Sequence, residues 1–372
     1  MTNEEKFQLI TRNLEETLTE EELKTLIESG TPLKHYIGFE ISGKVHIGQG
    51  LFTLMKIKDL QEAGVQTTIL LADWHTWLNK KLDGTLETAT RLGKNYLQEA
   101  LKAGALCVGA DPEKIDFVLG SEVYQKLGLD YWATVVRVSK ATTVARMIRS
   151  TTIMGKKESE VTDSAMLIYP AMQSADIFMM GINIAHAGTD QRNVHVVARE
   201  AASEVGFQKP IAIHSHLLQG LLPPVLIENP ETGKQEMDLE AAKMSKSKPD
   251  SGIYMDDSPD EIKRKINNAY APEGIVEFNP ILDWVKWLIF YDSGTQGDAL
   301  RVQRDAKWGG DLSYESYEDL EKDYADKKLH PQDLKKAVAQ WLIEKLEPAR
   351  KYFEDPKRKA ALEEIEKLTS KV

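Results

Sequence analysis

From Leu51 to Ala63 the apolar residues recur at three- and four-residue spacing, and the pattern stops at Gly64, which predicts an amphipathic helix. Val65 to Ala72 then runs apolar and β-branched without a break, as in a parallel strand buried on both faces. Upstream, Thr19-Glu20-Glu21-Glu22 has the form of a capping box and Gly30 stands where a helix would stop, so the N-terminal segment reads as helical. Lys34 to Phe39 reads as a strand, followed by the glycine-bearing turn Ser42 to Gly50. A helix over about 85–103, a short strand at Ile115 to Leu119 and more helix come next. A strand near Ile182 to Ala187, a helix over roughly 190–205 and a strand at Ile211 to His214 complete the series. Strands alternating with helices predict an α/β fold, a Rossmann-like doubly wound parallel sheet.

The pattern changes after Leu222 to Asp250, a loop rich in Pro, Gly and Lys. Ser258-Pro259-Asp260-Glu261 reads as a helix start, and almost no strand-like run follows it. The expected division is an α/β domain over 1–255 and an all-helical domain over 256–372. A length of 372 residues fits two domains. No run of 18 apolar residues occurs, so no membrane helix is expected. The acidic N-terminus lacks a hydrophobic signal core, and the expected location is cytoplasmic. One cysteine, Cys107, allows no internal disulfide, and no zinc ligand set or other protein metal site is expected.

A net charge of −11 does not exclude a polyanionic partner, because binding needs only a local positive patch. Arg137, Lys140, Arg146, Arg149, Lys156 and Lys157 crowd one stretch, and Lys327, Lys328, Lys335 and Lys336 another. Solvated helix faces would look the same, so charge leaves the question open.

Two segments point to chemistry. Gly43-Lys44-Val45-His46-Ile47-Gly48-Gln49-Gly50 follows the first strand and opens a helix. Its glycines would let a nucleotide approach the backbone, and the helix N-terminus favours phosphate. Lys243-Met244-Ser245-Lys246-Ser247 places two ammonium groups among hydroxyls on a loop, suited to pyrophosphate leaving an α-phosphorus. His46-Ile47-Gly48-Gln49 resembles the HIGH signature of class I aminoacyl-tRNA synthetases, and residues 243–247 match their KMSKS signature at every position. The resemblance implies ATP binding by Gly38, His46, Gly48, Gln49, Lys243, Met244, Ser245, Lys246 and Ser247, with His46, Gln49, Lys243 and Lys246 catalytic. Gln49 departs from the signature: its amide donates a hydrogen bond but carries no charge. Magnesium would arrive on the ATP phosphates.

Tyr169-Pro170-Ala171-Met172-Gln173-Ser174-Ala175-Asp176 reads as a helix begun at Pro170, with Gln173 and Asp176 on one face. Polar groups on an apolar helix face need partners, which a structural network or a ligand could supply. With Tyr36 and Gln191, this stretch resembles the tyrosyl-tRNA synthetases of the archaeal and eukaryotic type, over nearly the whole chain. That resemblance implies that Tyr36 and Asp176 hold a tyrosine hydroxyl, while Tyr169, Gln173, Gln191 and Glu40 hold the amino-acid end. Tryptophan is the neighbouring alternative, but an indole offers a donor and no acceptor to such a pair. An adenylyltransferase of related fold and a non-catalytic tRNA-binding protein are the alternatives of other classes.

Trp308 and the pair His330 and Asp333 could be a core aromatic and a plain helix start. The resemblance implies instead that they grip the first anticodon base of tRNA(Tyr), while Arg192, beside Gln191, and the basic residues Arg146 and Arg149 are candidates for the first base pair and backbone of the acceptor end. It also implies a homodimer through an inserted stretch at about 125–165, where Tyr131, Trp132, Val135 and Val136 would equally suit core packing.

Overall fold

The computed structural model describes every residue except 156–159, 229–232, 234, 239–241, 246–247, 292–298 and 370–372. The chain divides into two compact units. The first comprises Met1–Gly43, Thr53–His216 and Pro356–Val372, and the second Lys44–Phe52 and Leu217–Asp355.

The first unit opens with α1 (Asn3–Thr11), capped reciprocally by Thr2 and Glu5, then β1 (Glu16–Leu18) and α2 (Glu20–Glu28). Only half of the expected Thr19 capping box forms. Thr19 accepts from the Glu22 amide, but the Glu22 carboxylate takes Arg199 at 2.6 Å. The series continues with β2 (Lys34–Phe39), α3 (Thr53–Glu62), β3 (Gln66–Leu71), α4 (Asp73–Leu78) and α5 (Leu86–Leu92). After a wide π-helical turn at Gly93–Leu97 come α6 (Gln98–Val108), β4 (Ile115–Leu119), α7 (Gly120–Lys140) and α8 (Val144–Ser150). Then follow α9 (Tyr169–Met179), β5 (Ile184–Gly188), α10 (Arg192–Val205) and β6 (Ile211–Ser215).

Six strands form one sheet in the order β1-β6-β5-β2-β3-β4, parallel except for β1, which runs antiparallel to β6. The strand order reverses between β2 and β5, the switch point beside which α/β sheets bind ligands at their carboxyl ends. Successive residues of β5 enter different apolar clusters, Ile184 with Phe7, Leu23 and Ile213, and Ala185 with Tyr36, Tyr131 and Val197. Side chains alternate across a pleated strand, so both faces of the sheet are covered. The doubly wound sheet expected from the alternating pattern is therefore present.

The second unit holds the hairpin β7 (Leu226–Glu228) and β8 (Gln235–Met237), then α11 (Pro259–Asn268) and α12 (Pro280–Trp284). A second hairpin, β9 (Leu300–Val302) with β10 (Leu312–Tyr314), precedes α13 (Tyr317–Ala325), α14 (Pro331–Lys345) and α15 (Glu347–Tyr352). Helices dominate this unit, as expected, with the two short hairpins added. The division by contacts differs from the expected break near 255. Residues 217–255 join the helical part because Val45–Ile47 pair with Ile253–Met255, and Gln219 binds Asp283 and Trp284. The last helix, α16 (Pro356–Thr369), returns to the first unit, where Arg91 meets Glu364 at 2.7 Å and Arg358 meets Glu99 at 3.0 Å. No helix among the described residues is long and apolar enough to cross a membrane.

Candidate active site

In the first unit, β2 delivers Tyr36 opposite Ala185 of β5 and Thr68 of β3, almost wholly buried. Its hydroxyl lies over Gly38, where an added Cβ would stand 2.8 Å from it. Asp176, on the second turn of α9, is completely buried. Its Oδ1 accepts from the Tyr131 hydroxyl at 2.8 Å, and its Oδ2 has no hydrogen-bond partner. His75 Nε2 lies 3.7 Å from that oxygen, and burial pushes the imidazole down to about 3, so it is neutral. Burial raises the Asp176 carboxyl to about 7, while the Tyr131 hydroxyl and the Tyr124 hydroxyl dipole pull it down. Tyr124 and Tyr131 stack at 4.1 Å. Residues seven apart in an unbroken helix lie about 10 Å apart along its axis. The left-handed break at Gly128, φ 55°, lets these two rings meet.

Tyr169, at the entry of α9, joins this group to a second one. Its ring packs edge-on against His75 at 4.5 Å, and its hydroxyl donates to Glu40 Oε1 at 2.8 Å. Burial, then the Glu40 charge, holds that phenol well above its ordinary range. Asn79 Nδ2 donates to both Glu40 oxygens and to the Met154 carbonyl. Gln191 Nε2 donates to the Ile153 carbonyl at 2.9 Å, and Gln173 lies partly buried one turn before Asp176. The unit therefore brings Tyr36, Glu40, Tyr169 and Asp176 together.

The two signature segments meet within the second unit. Ile47 N donates to Ile253 O and Met255 N to Val45 O, so the His46 turn is paired to the segment that follows residues 243–247. His46 Nδ1 accepts from the Gly48 amide at 3.2 Å, while the Gln49 and Gly50 amides close onto the His46 carbonyl. A Cβ on Gly48 would stand 3.0 Å from both the His46 ring and the Met244 methyl, which puts the first signature against the second. Ser245 is fixed by Ser251, whose hydroxyl accepts from its amide at 2.8 Å. Lys243 faces Gln219 across a backbone bridge. Lys246 and Ser247 lie outside the described residues, as do Lys156 and Lys157. Beneath the turn, Lys44 and Lys265 flank the Tyr254 ring and bind Asp256 and Asp257 at 2.5 and 2.7 Å.

Gly220 fits this crossing by having no side chain. A Cβ there would meet the carbonyl oxygens of Ala242, Lys243 and Ser251 at 2.9, 3.2 and 3.2 Å. All three are backbone atoms, so no rotamer relieves the clash. Gly220→Ala should lower the stability of this unit by about 1–3 kcal/mol, read as a lower denaturant midpoint. An unchanged midpoint would mean that the segment before Met244 moves without strain.

The remaining expected positions are dispersed. Arg192 pairs with Glu16 at 2.8 Å, and Arg146 reaches Glu200 at 3.4 Å. Arg149 is exposed on the last turn of α8. Trp308 is 68% exposed, with Lys307 Nζ 5.6 Å from its ring centre. His330 caps α14, and Asp333 lies in the first turn of that helix. Among the described residues no three His, Cys, Asp or Glu groups are placed to hold a metal ion.

Sequence reasoning missed Tyr124, His75 and Asn79 and gave Tyr131 only an apolar role. A usable signal was present for His75 and Asn79, which follow the carboxyl end of β3 directly, where α/β sheets bind ligands.

A family model described as tRNA synthetases class I (W and Y) matches residues 28–347. The chain is 50% identical over 365 residues to the tyrosine–tRNA ligase of Thermococcus kodakarensis, covering 95% of this chain and 96% of that one. It is 44% identical over 375 residues to the tyrosine–tRNA ligase of Saccharolobus islandicus, covering 100% and 99%. Among solved structures, the tyrosyl-tRNA synthetase from Pyrococcus horikoshii complexed with L-tyrosine superposes with a TM-score of 0.90 at 46% identity, each chain covered fully. The Aeropyrum pernix tyrosyl-tRNA synthetase superposes at 0.82 and 40%, covering 98% and 99%.

Proposed function

The chain belongs to the class I tRNA synthetases of the W and Y (tryptophan and tyrosine) type, and from that premise we propose how its residues activate tyrosine with ATP and load it onto tRNA. The observation that supports the amino-acid assignment best is the unpartnered Asp176 Oδ2, buried in the neighbourhood of the equally buried Tyr36. A phenolic hydroxyl satisfies both groups, donating to Asp176 and accepting from Tyr36. An indole N–H satisfies only one. A buried site built for a hydroxyl rejects an analogue without it, a rule for which tyrosine against phenylalanine in this enzyme class is the standing illustration.

Glu40, Tyr169, Gln173 and Gln191 would take the amino-acid end of the substrate, leaving its carboxylate free to attack the ATP α-phosphorus in line. That step forms the carboxyl–phosphorus bond as the bond to pyrophosphate breaks. His46, Gln49, Lys243 and Lys246 act by position and charge, stabilising negative charge as it develops on the leaving oxygens. Gly38, Gly48, Met244, Ser245 and Ser247 complete the nucleotide site in this reading, and magnesium enters on the ATP phosphates. The terminal ribose hydroxyl of tRNA then attacks the adenylate carbonyl and AMP leaves.

The exposed Trp308, with His330 and Asp333, serves the anticodon of tRNA(Tyr), since a large exposed aromatic stacks on an unpaired base. Arg192, Arg146 and Arg149 serve the acceptor end, the first two exchanging their carboxylate partners for phosphate. On this reading residues 1–255 carry catalysis and 256–372 anticodon binding. The stretch at about 125–165 forms a homodimer contact, which the 86%, 57% and 70% exposure of Leu129, Val136 and Val144 supports. The enzyme works in the cytoplasm.

The half-reactions separate these roles. Exchange of labelled pyrophosphate into ATP should depend on tyrosine and not on tryptophan or phenylalanine. Trp308→Ala should leave that exchange unchanged and lower tRNA charging by about 5- to 150-fold, one lost stacking interaction. Loss of exchange in that variant, or charging at the original rate, would remove Trp308 from the anticodon site.

A further inference from the structure

Asp176 is a buried acid with an unusual set of neighbours. Facing it are Tyr131 and Tyr124 from α7, His75 and Asp73 from α4, Tyr36 from β2 and Tyr169 from its own helix. The imidazole is neutral, so none of these groups is a cation at neutral pH. The carboxylate depends on hydroxyl donors, and only Tyr131 makes a full hydrogen bond to it, at 2.8 Å to Oδ1. Tyr131 itself is fixed. It is fully buried, stacked on Tyr124, edge-on to Trp132 at 5.3 Å, and within 3.4 Å of the Met172 carbonyl.

We propose that Tyr131 is a positioning residue for tyrosine recognition: by occupying Asp176 Oδ1 it fixes the carboxylate plane and leaves Oδ2 as the acceptor for the substrate hydroxyl. This rests on the reading of Asp176 as the phenol acceptor. Two consequences follow from the geometry. The substrate hydroxyl meets one oxygen in one orientation rather than a carboxylate free to rotate. The same hydrogen bond also favours the ionised form against burial, so a larger fraction of the acceptor is charged when tyrosine arrives. With the carboxyl at about 7 before tyrosine binds, tyrosine takes the ionised fraction and displaces the proton from the rest.

The test is tyrosine-dependent pyrophosphate exchange by the full-length protein between pH 6 and 9, with calorimetric titration in buffers of different ionisation enthalpy. The unsubstituted protein should release about half a proton on binding tyrosine at pH 7 and almost none at pH 9. Its KM for tyrosine should rise below pH 7 while its KM for ATP does not follow. Tyr131→Phe should move that inflection up by about one pH unit, raising the tyrosine KM roughly fivefold at pH 7 and less at pH 9, with kcat within about twofold. Tyr124→Phe should shift it in the same direction by less. A merely structural role for Tyr131 would raise KM equally at every pH, and an unmoved inflection overturns the proposal. Should Tyr131→Phe not fold, Tyr124→Phe, which removes the hydroxyl of the ring stacked on Tyr131, still decides: an inflection that it leaves unmoved overturns the proposal. Asp176→Asn separates this from the reading beneath it. An unchanged tyrosine KM in that variant removes Asp176 from the pocket, whereas a raised KM with no effect of Tyr131→Phe defeats only the role given to Tyr131.

Discussion

Asp176→Ala should reduce kcat/KM for tyrosine in pyrophosphate exchange by roughly 30- to 1,000-fold, about 2–4 kcal/mol, with the KM for ATP within about twofold. The effect is large because the loss falls on buried groups. The substrate hydroxyl loses a charged acceptor, and the fully buried Tyr131 hydroxyl, otherwise bonded at 2.8 Å, keeps only the Met172 carbonyl at 3.4 Å. Tyr36, also buried, then faces a void in place of a carboxylate. Stranding a buried donor costs more than an exposed hydrogen bond contributes, since water cannot replace the lost partner. The nucleotide signatures should be indifferent, because the His46 turn and residues 243–245 are held by contacts within the second unit. Steady-state exchange kinetics with each substrate varied in turn would measure both constants. A tyrosine KM close to that of the unsubstituted protein would sink the assignment, and an equal loss on the ATP side would indicate general damage.

What the sequence disclosed about this pocket follows from the range of the interactions involved. Strand β3 announces itself because burial on both faces demands a continuous apolar run, here Val65 to Ala72, a local property. The helix begun at Pro170 is equally local, and its three-residue spacing put Gln173 and Asp176 on one face before any contact was known. The edge strand β1 and both hairpins are three residues per strand, too short to show an alternating pattern, and β1 forms only because β6 offers it an edge. The capping box at Thr19 was half right because Arg199, 177 residues away from Glu22, competes for the carboxylate. Tyr131 was legible as a buried helix position but not as a hydrogen-bond donor, because its partner sits 45 residues on and the break at Gly128 decides which way the ring points. The return of α16 to the first unit rests on ion pairs spanning more than 250 residues, which no local pattern announces.

The first unit should also be sensitive to mild acid, through buried histidines most of which play no part in the proposed chemistry. His35 Nε2 meets His186 Nδ1 at 3.1 Å, and His186 Nε2 meets the Ser215 hydroxyl at 2.7 Å. His195 Nδ1 meets His214 Nε2 at 3.0 Å, and His214 Nδ1 meets Glu16 at 2.8 Å. A bond between two ring nitrogens needs one donor and one acceptor, so each of these pairs is built for neutral rings. The outer nitrogens His35 Nδ1 and His195 Nε2 are buried without partners, and protonation there would create an N–H with nothing to bind. Burial accordingly pushes His35 and His195 down to about 3, as it does His75, and His186 well below its ordinary value. Between the unfolded value near 6.5 and the folded value near 3, the unfolded chain takes up protons that the fold refuses. The stability is therefore whole above about pH 6.5 and is lost as pH falls toward 3. Each such histidine contributes a slope approaching about 1.4 kcal/mol per pH unit, and four of them, less the opposing proton of Asp176, give roughly 4 kcal/mol per unit, a large share of the stability of many domains. Denaturant unfolding at steps between pH 7 and pH 5 should show this slope as an uptake approaching three protons on unfolding at pH 5, the four taken up by the histidines less the one that Asp176 holds only in the fold. His195→Gln should reduce the uptake by about one proton. A fold that keeps its denaturant midpoint down to pH 4 would mean that these rings reach solvent, or share their protons, in a way the packed histidine pairs do not allow.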